Sequence, residues 1–231
     1  MATQCDVAVI GAGIAGLTAA RVLAAAQISV ILLEARERVG GRILTARTAH
    51  GSSVELGAEF VHGKPKPTLE LAQEAGVRLT SIADRHFIKH GAAFREQTDP
   101  WQPFATVLAR VRPGEPDLSA RAFLRQHEID PTTAERFRQL VEGFEAAPLD
   151  EVGIQSLCSS NQHDFSNDPR ARGAYSFCRP GGAEASKALS APVEDALFLA
   201  GEATDHTYPG TVAGAIASGQ RAAKQALKSL R

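Results

Sequence analysis

Three glycines, a carboxylate and a guanidinium near the start of the chain have the types and spacing to hold a dinucleotide. Gly11, Gly13 and Gly16 spell G-x-G-x-x-G. In such a loop the first glycine permits a tight turn and the second lets the backbone approach a pyrophosphate. The third lets a helix pack close on a sheet. Glu34 follows roughly 20 residues on, where a carboxylate can accept hydrogen bonds from ribose hydroxyls. An acid there disfavours the 2′-phosphate of NADP, so the motif alone leaves FAD and NAD open. Gly40-Gly41-Arg42 then offers a backbone able to pass close to a polyanion, with a guanidinium at hand.

A strand–helix–strand unit must position these groups. Val7–Ile10 is a short β-branched run, expected to form a strand buried on both faces. Ile14–Ala26 is rich in Ala and Leu with helical period, and its N-terminus presents N–H groups and a positive dipole end to phosphate. Ile28–Leu33 reads as a second buried strand that delivers Glu34.

The 231 residues are 44% hydrophobic and 22% charged, which suits a soluble globular protein of one large or two small domains. Net charge is −1 without a run of one sign, so neither a nucleic acid nor an anionic membrane is an expected partner. The first residues lack a basic region, and no apolar run of about 18 residues occurs, so neither a signal peptide nor a membrane span is expected. Cys5, Cys158 and Cys178 are odd in number and far apart. They read as thiols in a reducing compartment rather than as a disulfide or zinc set, which places the protein in the cytoplasm.

Further along, Gly57 and Gly63 bracket a strand-like piece carrying Glu59 and His62. Thr68–Ala75 reads as a helix ended by Gly76, and Arg85–Phe94 as a β pair around Gly91. His86 and His90 then lie on an extended segment, and no metal site is expected. Phe104–Val111, Leu118–His127 and Pro131–Phe144 have helical spacing, with Asp117 and Asp130 as N-caps and Phe123, Phe137 and Val141 as core. Leu157–Arg172 reads as a linker, Gly173–Cys178 as a strand-like piece, Ala196–Ala200 as a buried strand and Thr211–Leu230 as a long helix.

Four blocks together resemble the flavin-containing amine oxidase family, which includes monoamine, polyamine and L-amino-acid oxidases. They are LLEARERVGGR, GAEFVHG, DPRARGAYSF and LFLAGEATDHTYPGTVAGAIASGQRAA, in the family's order. The resemblance selects FAD over NAD. It implies an α/β fold with a Rossmann-like FAD-binding domain, formed by residues 1–80 and 161–231, around a small, mainly helical, truncated substrate domain at 81–160. It further implies that Glu34 holds the adenosine ribose, that Arg42 lies beside the diphosphate, and that the Gly57-Ala58-Glu59-Phe60 backbone runs near the flavin ring. Glu202 would bind the ribitol–diphosphate portion. Thr211 and Val212 would lie near the flavin O2/N1 edge, where a helix N-terminus stabilises negative charge. Tyr175 resembles one wall of an aromatic cage whose opposite position is Thr211, and His62 stands where family members vary residues that steer the substrate.

The implied reaction passes a hydride equivalent from a small-molecule amine to the flavin. The imine then hydrolyses, and O2 is reduced to hydrogen peroxide. One departure stands out: family enzymes carry a central segment before the GAYS block, whereas a few polar residues join Leu157 to Asp168 here. A shortened, non-catalytic flavin-binding protein or a fragment is therefore the alternative. Ala174 occupies the position at which covalent-flavin members carry a cysteine, so any flavin is expected to be held non-covalently. Acid or heat denaturation should release the yellow colour into the supernatant; colour retained on the denatured band would point to attachment at Cys178.

Overall fold

In the computed structural model, β1 (Val7–Ile10) runs into α1 (Ile14–Ala25) and returns through β2 (Val30–Leu33). The structure describes residues 4–81, 85–90, 93–112, 114–145, 147–158, 175–182 and 184–230. β1 and β2 pair in parallel, Val7 opposite Val30 through Ile10 opposite Leu33. A parallel pair needs a crossover, and α1 supplies it.

The next elements are short. β3 (Thr45–Arg47) and β4 (Ser53–Glu55) form an antiparallel hairpin, α2 spans Lys66–Glu74, and β5 (His86–His90) pairs antiparallel with β6 (Ala93–Gln97). Three helices follow: α3 (Gln102–Leu108), α4 (Ala120–Gln126) and α5 (Pro131–Glu145). The chain closes with α6 (Ala185–Leu189) and α7 (Val212–Ser229). Among the described residues no helix is long and apolar enough to cross a membrane.

Two apolar clusters hold these elements. In the first, Ala19 and Leu23 of α1 meet Ala223 and Ala226 of α7, with Val7, Val9, Val30 and Phe198 packed against them. Small residues make this contact possible. A Cβ on Gly219 would run into the Ala15 carbonyl oxygen, and, on the side of α1 that meets the loop after β1, a Cβ on Gly16 would run into that of Gly11. The second cluster is helical: Val107, Phe123, Phe137 and Val141 close over Leu149, Val152 and Ile154.

Several expectations are corrected. β1 is covered on one face only: Val7 and Val9 turn toward the helices, while Ala8 is exposed and Ile10 is 85% exposed, as the two-residue period of a strand requires. Ala196–Ala200 belongs to no ladder; Leu197 makes an isolated bridge to Val193, while Phe198 packs on the first cluster. Gly57–Gly63 is irregular rather than strand-like: among the described residues it pairs with no strand, and Gly63 turns the chain at φ +66°. Asp117 does not cap α4. Ser119, adjoining the helix, accepts from the Ala122 N–H (3.2 Å), and Asp117 instead accepts from the N–H groups of Gln155 (3.1 Å) and Gly181 (3.0 Å). Asp130 does accept from the Thr133 N–H (3.0 Å) at the start of α5.

Residues Tyr175–Cys178 form no ladder either, and Gly173, Ala174 and the linker beyond Cys158 lie outside the described residues. The strip is strung between the two clusters. Phe177 packs against the helical cluster, and the Cys178 carbonyl accepts from the Gly153 N–H (2.9 Å). Phe137 is 0% exposed and stacks on Phe104 at 5.7 Å between ring centroids. Phe137→Ala should therefore lower unfolding stability by about 3–5 kcal/mol, read as a shift of the urea midpoint.

Candidate functional site

The glycine loop has the geometry of an anion cradle. Gly11 has φ +98°, open to glycine at little cost, and its N–H donates to the Leu33 carbonyl (2.7 Å). The Gly40 N–H donates to the Ala12 carbonyl (2.8 Å), stitching the Gly40-Gly41-Arg42 turn beneath the loop. Arg38 braces that turn by donating to the Gly41 carbonyl (2.8 Å) and the Val39 carbonyl (3.2 Å).

Gly13 is different in kind. Its φ of −70° and ψ of 171° suit any residue, and a Cβ placed there would meet no protein atom within 4 Å. The protein's own packing does not require a glycine at 13, and the space is left for something to approach the backbone. Gly13 is also the N-cap of α1 and provides no side-chain cap, so the first-turn N–H groups receive no acceptor from it. These residues fit a dinucleotide.

Glu34 lies mostly buried at the end of β2. It accepts from the Arg36 N–H (2.9 Å) and the Ala12 N–H (2.7 Å), and those two backbone bonds, Arg36 first, hold its carboxyl below the usual carboxylate range. The Arg36 guanidinium stands 3.7 Å away and adds to the effect. Each oxygen keeps acceptor capacity for a further donor, as a ribose hydroxyl would need.

The other half of the site comes from the C-terminal part of the chain. Glu202 is 6% exposed. Arg42 Nη1–H donates to its Oε1 (2.8 Å), as does the Ser176 N–H (3.0 Å). Its Oε2 accepts from the Ser176 hydroxyl (2.6 Å) and the Gly210 N–H (3.1 Å). Thr211 is the N-cap of α7: its Oγ1 accepts from the Gly214 N–H (3.1 Å) and donates to the Tyr208 carbonyl (2.8 Å), with half-buried Val212 opening the helix. Gly57 is buried, and Ala58 joins the same neighbourhood by donating its N–H to the Arg42 carbonyl (3.2 Å). Glu59, Phe60 and His62 are exposed, with the rings of Phe60 and His62 6.3 Å apart.

The structure thus brings Gly11, Gly13, Gly16, Glu34 and Arg42 together, and ties Arg42 through Glu202 to Ser176, the neighbour of half-buried Tyr175. His62 stands outside that network. Sequence reasoning missed Arg38 and Ser176. The signals were there: an arginine two residues ahead of a Gly-Gly turn, and a hydroxyl adjoining Tyr175. Among the described residues no three His, Cys, Asp or Glu side chains converge as a metal set.

A parallel βαβ unit with a glycine cradle at its helix N-terminus defines a dinucleotide-binding protein of the Rossmann-like α/β class. Solved structures share this fold. Cyclohexylamine oxidase from Brevibacterium oxydans matches with a TM-score of 0.57 at 20% identity, over 67% of this chain and 40% of that one. Putrescine oxidase bound to putrescine matches with a TM-score of 0.54 at 20% identity, over 69% and 43%. The family profile described as flavin containing amine oxidoreductase matches residues 14–154 and 126–227. The chain belongs to that family. Flavin-containing amine oxidase B of Rattus norvegicus is 39% identical over 109 residues, 45% of this chain and 21% of that protein. Flavin-containing amine oxidase A of Bos taurus is 40% identical over 106 residues, 43% and 20%. The matched stretch therefore spans about a fifth of these curated relatives.

Because folding lowers the Glu34 pKa, this group adds stability above its unfolded value and loses that contribution as pH falls through the folded one. Urea midpoints should fall as pH drops through and below the ordinary carboxylate range, and Glu34→Gln should flatten that part of the profile.

Proposed function

We propose that this chain binds FAD non-covalently and acts as an FAD-dependent oxidoreductase of the amine oxidase type on a small-molecule amine, with O2 as the second substrate. The observation that carries the reading is the empty approach to Gly13 at the uncapped N-terminus of α1. Glu34 lies at one side of that loop and the Gly40-Gly41-Arg42 turn beneath it. Family membership supports the choice of flavin and of amine.

Gly11, Gly13 and Gly16 let backbone N–H groups reach the diphosphate, Arg42 supplies the opposing cation, and Glu34 accepts from the adenosine ribose. The backbone of Gly57, Ala58, Glu59 and Phe60 borders the ring end. Thr211 caps α7 with its own hydroxyl, so what it and Val212 offer the cofactor is the positive end of the helix. Bound FAD supplies acceptance of a hydride equivalent from the amine's α-carbon and its return to O2 as hydrogen peroxide. Tyr175 forms one wall for the amine, and His62 lies on the exposed loop that would steer it. With Phe60 and His62 both exposed, this side excludes water poorly, which weakens positioning and electrostatics. The cysteine-poor composition supports a cytoplasmic setting.

The purified chain should show a flavin spectrum after incubation with FAD, and Gly13→Val should abolish it while leaving the melting temperature unchanged. Anaerobic addition of mono-, di- and polyamines should bleach the bound flavin more slowly than about 1 s⁻¹, the low end of ordinary turnover. Equal FAD affinity in the wild type and Gly13→Val would refute the site. Bleaching by no amine would refute the amine oxidase activity alone.

A further inference from the structure

Glu202 is a buried carboxylate with all of its acceptor capacity in use. An ionised carboxylate offers about four lone-pair sites, and four donors occupy them: Arg42 Nη1–H and the Ser176 N–H on Oε1, the Ser176 hydroxyl and the Gly210 N–H on Oε2. A flavin ribityl hydroxyl would find no vacant acceptor there, and a diphosphate would meet like charge. The four donors come from three separate parts of the chain: the turn after β2, the strip beside Tyr175, and the approach to α7.

We infer that Glu202 is a positioning residue rather than a cofactor ligand. It sets Arg42 for the diphosphate and, through Ser176, ties the strip carrying Tyr175 to that arginine. The inference rests on the FAD reading above and assigns Ser176 a role in it. Arg42 is the partner that matters for binding. Its side chain is 38% exposed while that of Glu202 is 8% exposed, so the guanidinium reaches from a buried anchor toward solvent. A long arginine held by a charge-assisted bond has less rotamer freedom to lose when a phosphate arrives.

ADP and FAD separate the two roles, since ADP keeps the diphosphate but lacks the ribityl chain and ring. Calorimetric titration of the full chain should show Glu202→Gln weakening both ligands alike, by roughly 10- to 100-fold, the range for loss of a charge-assisted hydrogen bond. A glutamine amide would point its own N–H groups at two of the four donors. In an Arg42→Ala background the same substitution should change affinity by less than about threefold, because the group being positioned is gone. Loss confined to FAD would overturn the inference and restore a direct ribityl contact. Multiplicative effects of Glu202→Gln and Arg42→Ala, or wild-type affinity in Glu202→Gln, would also overturn it.

If Glu202→Gln fails to fold, Ser176→Ala takes its place. Ser176→Ala should weaken FAD and ADP severalfold and alike when titrated well below its melting temperature, and Ser176→Thr should restore both. Unaltered affinity in Ser176→Ala would overturn the inference. Absence of FAD binding by the wild-type chain would refute the cofactor reading and this inference together, whereas any of the other contrary results would refute the inference alone.

Discussion

The packing of α1 between α7 and the loop after β1 depends on two glycines, each of which removes an atom that would block one of its contacts. Gly219 lets α7 settle against the Ala15 carbonyl, and Gly16 lets α1 settle against the Gly11 turn. Every later feature of the site depends on this pair of approaches. A Cβ at either position would push helix from helix, or helix from strand, and no side-chain rotation relieves a clash with backbone. The alanines at 19, 223 and 226 continue the same logic, filling a narrow seam without wedging it open. Two segments far apart in sequence are thereby held at one place, each contributing a helix N-terminus.

Two carboxylates within one anion-binding region pose an electrostatic problem, which the structure resolves by satisfying each one internally. Glu34 is neutralised in effect by the N–H groups of Ala12 and Arg36, and Glu202 by Arg42, Ser176 and Gly210. A buried charge left unpaired would cost several kcal/mol, so these bonds are conditions of the fold before they are conditions of binding. On the FAD reading proposed above, what would face the diphosphate is positive: the dipole ends of α1 and α7 and the exposed part of the Arg42 side chain.

The same compactness leaves apolar surface uncovered. One face of the β1–β2 pair presents Ile10, and Leu33, Leu197 and Phe60 are also exposed. The helices pack on the other face, where Val7, Val9 and Val30 are half-buried, and the second cluster stands on its own side chains. The Tyr175–Cys178 strip joins them through hydrogen bonds to Gly153 on one side and Glu202 on the other. An aromatic held between two packed units in this way takes its position from both.

Much of the nucleotide half was legible in the chain itself. G-x-G-x-x-G at 11–16, the helix of small residues behind it and Glu34 at the end of β2 are local features, each set by backbone sterics and by residues few positions apart. The helices of the second cluster were equally plain from their 3.6-residue spacing, as was the cap at Asp130. Tertiary structure decided what composition and period leave open. Ile10 reads as core in any window of sequence; whether a strand is covered on one face or two depends on what else packs there, and here α1 and α7 cover only one. Asp117 is as good a cap as Ser119 until the chain returns Gln155 and Gly181 to claim it. Glu202 is the sharpest case. Its neighbours in sequence say only that a carboxylate begins a turn, and its partners lie at 42, 176 and 210. Hydrogen bonds between distant segments leave no period to read, so the saturation of that carboxylate existed only once the chain had folded around it.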